Sequence, residues 1–552
     1  MFKKILSLLL VVMLLAGFAT AEEAATETGH TPVAILFTND IHCGIAEGVG
    51  LAGLAAYKKA YEAAGYDVLL ADVGDAIQGS TLGTLSKGEY IVEPMNEVGY
   101  GVCTVGNHEF DYGMERLMEI RETANWDYVC CNFTDLEGNT VLPPYVMREL
   151  GGWKVAFIGV DTPETFYKTT PTFFQDADGN YIYAFHGGNG GQDLYDIVQK
   201  YVDQARGEGA EIVVALCHLG DEYLGEGKAW LCADLVANTN GIDVALDGHA
   251  HHAFAQRPVL NKDGKEIMTA STGTQLANVG VLTITEGEDG VVFETSLHNE
   301  SIFQDADMAA KVAEMYAKCD DVLTKVIAHT DVDLVIYDPV AVDENNNPIR
   351  IIRTQETNLG DLCADACRVL GNADIAIING GAIRDSLPVG DITYDSIIRV
   401  HPFNKVLTVV EATGAQILDM LEMSVCKLPL SNGGFMQVSG LTFTVDMSVE
   451  STVELAENSD FVCVHGDRRV KDVMVGGEPI DPEKTYTVAS HSYVLLDGGD
   501  GMNIFKKNNV VLESSETDYE ILARYITENL GGVIGEAYAD PYGDGRITII
   551  NG

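Results

Sequence analysis

TVGNHEFDYG, residues 104–113, puts Asn107, His108, Glu109 and Asp111 directly after the apolar run Val102–Val105. A buried strand that ends in an amide, an imidazole and carboxylates is how layered α/β domains build sites, because functional groups in open sheets gather beyond the carboxyl ends of strands. One such segment can arise by chance. It gains meaning only if other strand ends converge on it.

Short apolar runs recur on both sides, at Val33–Phe37, Val68–Val73, Val129–Cys131, Val155–Val160, Ile212–Leu216 and Val244–Leu246. Amphipathic segments such as Gly50–Ala64 and Gln192–Arg206 separate them. That alternation predicts an α/β fold with buried strands. From Asp305 to about Lys325 the pattern changes: Met308, Val312, Met315, Cys319 and Val322 fall at helical spacing with no Gly or Pro, which predicts one long connecting helix. A new alternation follows, with a strand expected over Val332–Ile336, a helix over Asp361–Leu370 and a strand over Ile375–Ile378.

Five apolar runs end in metal-type ligands. They are FTNDIH (Asp40, His42), ADVGD (Asp75), VGNHEFD (Asn107, His108, Asp111), ALCHLG (His218) and LDGHAHH (His249, His251, His252). Carboxylates, imidazoles and an amide oxygen without a thiolate series suit borderline divalent ions, Mn, Zn, Co or Fe, rather than Ca. Asp40, His42, Asp75, Asn107, His218, His249 and His251 are too many ligands for one ion and about right for two that share Asp75. Taken singly, each cluster has a bland reading as a solvated turn or a hydrogen-bonded core residue, and His252 reads as surface.

The 552 residues carry a net charge of −49, a field that repels nucleic-acid backbones and anionic surfaces. An anionic substrate therefore needs local neutralisation by metal ions or clustered arginines. Residues 1–21, with Lys3 and Lys4, the apolar run Ile5–Phe18 and Ala19-Thr20-Ala21, read as an export signal, and no later run is long and apolar enough to span a bilayer. The protein is expected to be secreted, periplasmic or cell-surface associated. Eleven cysteines lie mostly in apolar runs, so core thiols are expected rather than a disulfide framework.

The ordered series D-x-H, GD, GNHE, H and GHxH resembles the signature of the dinuclear, calcineurin-like metallophosphoesterases, and its spacing resembles the exported 5′-nucleotidase and UDP-sugar hydrolase family. The second half carries further motifs of that family: ETNLGDLCADA (356–366), NGGAIRDSLPVGDIT (379–393), HPFNK (401–405), GGFMQVSG (433–440) and LDGGDGMN (496–503). The resemblance implies a four-layer metallophosphoesterase domain over residues 30–304, a helical linker over 305–328 and an α/β nucleotide-binding domain over 329–552. It implies one ion on Asp40, His42 and His251, a second on Asn107, His218 and His249, and Asp75 between them. His108 and Asp111 resemble the catalytic dyad.

In the second domain the resemblance gives Arg353, Asn379 and Arg384 to the substrate's polar groups, Phe403 to base stacking and Asp500 to the ribose hydroxyls. The family's second stacking aromatic lies six residues before that aspartate, where Val494 stands here; a one-residue insertion brings Tyr493 into that role. The activity implied is hydrolysis of nucleoside 5′-monophosphates, with 2′,3′-cyclic nucleotides, UDP-sugars and nucleoside di- and triphosphates as alternatives on the same site. A non-enzymatic nucleotide-binding protein is disfavoured because every ligand and the dyad histidine are present. A sulfur-compound hydrolase is disfavoured by the base-binding set.

Overall fold

The computed structural model describes residues 29–550 apart from 177, 222–228, 289, 301–302, 343–347 and 457. The expected export signal lies outside the described residues.

The first half is a sandwich of two six-stranded sheets. One runs Gly290–His298, Val279–Gly287, Val33–Thr38, Asp67–Asp72, Tyr100–Thr104, Asp127–Val129; its last four strands are parallel. The other runs Ala253–Leu260, Glu266–Thr272, Val244–Asp247, Ile212–His218, Trp153–Asp161, Tyr145–Leu150, with the four central strands parallel. Strand periodicity of two explains why whole runs are apolar. Val33, Ile35 and Phe37 point into the core between the sheets with Ile212, Val214 and Leu216, while Ala34 and Leu36 face an outer helical layer. Helices Gly50–Ala63, Glu89–Val98 and Met114–Thr123 cover the first sheet, and Gln192–Gly207 with Cys232–Asn238 covers the second. The result is four layers, helix, sheet, sheet, helix.

The helix expected over 305–325 is two helices, Ala306–Ala317 and Asp320–Leu323. Asp305 caps the first by accepting from the Met308 amide at 3.0 Å. Met308, Val312 and Met315 are buried in the first half's outer core, so this helix is docked rather than suspended. Asp320 and Asp321 open the second, where a helix N-terminus favours negative charge.

The second half is built on a mixed five-stranded sheet in the order Met436–Ser439, Ile375–Asn379, Thr485–His491, Val406–Thr413, Val510–Thr517. Ala376 and Ile378 pack toward the core that holds helix Asn358–Leu370, and Ile375 and Ile377 pack toward the core that holds helix Gly414–Val425. The strand expected over Val332–Ile336 does not form; only Leu334 makes an isolated bridge, to Leu387. The Asn358 side chain donates to the Asp333 carbonyl and accepts from the Val335 amide, taking backbone groups that a ladder would have used.

All eleven cysteines are free thiols, nine of them buried. Among the described residues no helix is long and apolar enough to cross a membrane.

Candidate metal centre and substrate pocket

Asp40, Asp75, Asn107, His218, His249 and His251 all lie at or just beyond the carboxyl ends of parallel strands, and His42 follows Asp40 on the same loop. The chain must turn sharply there. Asp40, His42, Asp75, His249 and His251 adopt left-handed backbone, with φ of 50°, 46°, 61°, 73° and 62°. Gly106 permits the close approach of these turns: a Cβ there would come within 2.4 Å of Asp75 Oδ1 and 2.7 Å of the His218 ring.

Hydrogen bonds fix which atom each side chain presents. Asp40 Oδ2 accepts from the Asn39 amide group at 2.7 Å and the His249 backbone at 2.9 Å, while Asp40 Oδ1 is buried with no hydrogen-bond partner. Asp75 Oδ1 accepts from the His108 backbone at 2.8 Å, which turns Oδ2 to His218 Nε2 at 3.1 Å. His42 Nδ1 donates to the Gln78 carbonyl at 2.9 Å and His218 Nδ1 to the Val73 carbonyl at 2.7 Å, leaving each Nε2 as a lone pair. Asn107 Oδ1 and His218 Nε2 are also buried without hydrogen-bond partners.

Donor atoms of Asp40, His42 and His251 converge, as do those of Asp75, His218 and His249. His251 Nε2 lies 3.0 Å from His42 Nε2, a meeting of two nitrogens that a shared cation relieves. Three orphaned acceptors and paired lone pairs in a buried, acidic setting fit divalent cations. The electrostatics agree: burial disfavours charge on His218, yet Asp75 and Asp40 outweigh it and hold its proton affinity well above the ordinary range. Burial raises Asp40, but His251 and His218 bring it down to about 2.

His108 Nδ1 meets Asp111 Oδ2 at 2.6 Å, and Asp111 Oδ1 accepts from the Thr169 hydroxyl at 2.6 Å. Burial opposes the imidazolium of His108, and Asp111 with Asp75 overcomes it and raises its pKa. Glu109, absent from the sequence-based site, ties two site turns together by accepting from the backbone amides of Asp75, Ala76 and Gly106, each at 2.7 Å. Burial and Asp75 push it up to about 7. His252 pairs with Asp221 at 2.9 Å, away from the converging donors.

The second half borders this cluster. Asn379 ends one strand of its sheet, Phe403 precedes the strand Val406–Thr413, and the register of the three central strands puts both at one edge. Phe403 stacks on His108 with ring centroids 5.6 Å apart, and Arg384 lies 5.7 Å from the Phe403 ring. Arg353 is half-buried, with its Nε buried and unpartnered; burial and then Arg384 bring its pKa down to about 10. Asn379 donates to Asp500 Oδ2 at 2.7 Å and keeps its own Oδ1 buried and unpartnered. Asp500 Oδ1 pairs with Lys168 of the first half at 3.1 Å.

Tyr493 is buried. Its hydroxyl donates to the Tyr167 carbonyl at 2.7 Å and accepts from the Asp500 amide at 3.0 Å, and its ring lies so close to Gly499 that a Cβ there would come within 2.1 Å. Sequence reasoning missed Arg350, whose Nε is likewise buried and unpartnered and whose pKa is lowered by burial and by Arg353. Its only sequence signal is its place three residues before Arg353.

Residues 33–253 match the calcineurin-like phosphoesterase family, and residues 326–507 match the 5′-nucleotidase C-terminal domain. The chain belongs to the two-domain 5′-nucleotidase family. It is an enzyme of a phosphoric monoester hydrolase family, with divalent metals implied by the phosphoesterase half. A 5′-nucleotidase of Vibrio cholerae is 26% identical, with 94% of each chain covered. The crystal structure of a 5′-nucleotidase precursor from Thermus thermophilus superposes with a TM-score of 0.76 at 25% identity, covering 94% of this chain and all of that one. A sulfate thiohydrolase of Thermus thermophilus shares the fold at 19% identity, with a TM-score of 0.67 over 94% of this chain and 96% of its own.

Proposed function

We propose that this is an exported phosphohydrolase that removes the 5′-phosphate from nucleoside monophosphates in nucleotide salvage. Two divalent ions of the Mn, Zn, Co or Fe class would be held by Asp40, His42, Asp75, Asn107, His218, His249 and His251. One observation carries the reading: buried acceptors of the first half and buried arginine donors of the second, each without a partner, border one space beside His108 and Phe403. Bound there, the ions would polarise a phosphoryl group and lower the pKa of water.

The chain's own residues divide the remaining work. His108, oriented through Nδ1 by Asp111, keeps Nε2 for the phosphoryl group, and its raised pKa suits it to hand a proton to the leaving ribose oxygen. Arg353, Arg384 and Arg350 offset phosphate charge that the strongly acidic protein otherwise repels. Phe403 offers the base a stacking face. Asp500, steadied by Asn379 and Lys168, accepts from the ribose hydroxyls. Tyr493, locked by its two hydroxyl hydrogen bonds, serves best by holding the Asp500 loop, which leaves Phe403 as the main platform.

The thiohydrolase likeness is one of fold alone, and the arginine and Phe403 pocket favours a nucleotide. Phosphate release from a panel of nucleoside mono-, di- and triphosphates, 2′,3′-cyclic nucleotides, UDP-sugars and simple phosphate esters tests the proposal, before and after chelation and with each metal restored. Nucleoside 5′-monophosphates should be cleaved best, and only with metal. Full activity in metal-free protein, or equal turnover of simple esters, would refute it.

A further inference from the structure

The hairpin formed by Val453–Leu455 and Phe461–Val464 belongs to neither the metal centre nor the substrate pocket. Val453, Leu455 and Phe461 pack against the second half's core. Its other face carries three metal-ligating side chains. Glu454 is the cross-strand partner of Cys463, and the register slips between Glu454 and Leu455, so that Leu455 pairs with Phe461 and Val462 becomes the extra residue of a bulge. His465 follows two residues after Cys463, its amide held by the Thr452 carbonyl at 2.8 Å, and a spacing of two returns a strand to the same face.

Glu454 and His465 are eleven residues apart in sequence; the hairpin brings the three donor atoms to one point. Cys463 Sγ lies 3.2 Å from His465 Nε2 and 3.6 Å from Glu454 Oε2, and the same Nε2 lies 2.5 Å from that carboxylate oxygen. A nucleophilic relay would use one imidazole nitrogen for the thiol and the other for the carboxylate. Here a single nitrogen meets both, which is convergence rather than relay. Bonds of about 2.0–2.3 Å to a tetrahedral ion set its donors about 3.3–3.6 Å apart, so the thiol–carboxylate distance already fits, and the exposed His465 need only draw back from Cys463 and Glu454.

We propose that Glu454, Cys463 and His465 form a separate mononuclear site for a zinc-class transition-metal ion, with the fourth position open to water. The thiolate would select this ion class over the hard cations Mg and Ca. Binding releases the thiol proton and ties the two strands together. Cys463 is one of only two cysteines that are not buried, so a bound ion would also shield it from oxidation.

Cobalt(II) distinguishes this site from the catalytic one, whose donors are oxygen and nitrogen alone. Titrating the metal-stripped full chain with cobalt should produce a sulfur-to-cobalt charge-transfer band in the near ultraviolet. Cys463→Ser and His465→Ala should each abolish that band and lower bound cobalt by a single equivalent, while metal-restored phosphate release stays unchanged. A band missing from the unsubstituted chain, or one that survives either substitution, overturns the proposal.

Discussion

The two halves border the same space with opposite unmet demands. The first half buries unpaired acceptors, Asp40 Oδ1, Asn107 Oδ1 and His218 Nε2; the second buries unpaired donors, Arg350 Nε and Arg353 Nε. A buried polar atom without a partner costs about 1–3 kcal/mol, so each set is maintained against stability. Cations would meet the acceptors, and an anion the donors. On the proposed function, a metal-bound phosphate ester would satisfy both sets together. Asn379 Oδ1, the unpaired acceptor on the donor side, is suited to a hydrogen-bond donor on the nucleoside.

The largest expected effect falls on the acceptor side. Asp75→Ala should abolish phosphate release and strip both ions, read by metal analysis in parallel with turnover; retention of full metal content would break the contrast outright. Next, His108→Ala should lower kcat by about 10²- to 10⁴-fold with metal content unchanged, which separates proton transfer from ion binding. If metal is lost instead, His108 belongs among the ligands. On the donor side, Arg353→Met should cost roughly 10- to 100-fold in kcat/KM, as expected for a lost charge-assisted hydrogen bond, while both ions remain. The smallest effect is expected from Phe403→Ala, where stacking worth about 1–3 kcal/mol is lost chiefly as a rise in KM. Equal losses on nucleotides and on a simple phosphate ester would remove the base from that pocket.

The acceptor side was the more legible in sequence. Its residues follow apolar runs directly, and a run's end marks where a strand delivers its side chains. Glu109 sits inside the quoted segment, yet its role was hidden because it binds the backbone of Asp75 and Ala76, more than thirty residues away. Lys168 went unnoticed for the same reason, since its partner Asp500 lies 332 residues along the chain. Val332–Ile336 misled because periodicity cannot register that the Asn358 amide takes its backbone groups. The edge strand Ala253–Leu260 was missed because most of its residues face solvent and leave no apolar run.

The left-handed turns at Asp40, His42, Asp75, His249 and His251 set heat tolerance and chemistry against each other. Such backbone costs an L-residue on the order of 1–3 kcal/mol, even though Asp and His bear it better than most, and glycine escapes the cost. A library evolved for thermal resistance without substrate in the screen should therefore drift toward glycine at these five positions. Its survivors would be hardier proteins with the fold intact and the chemistry gone.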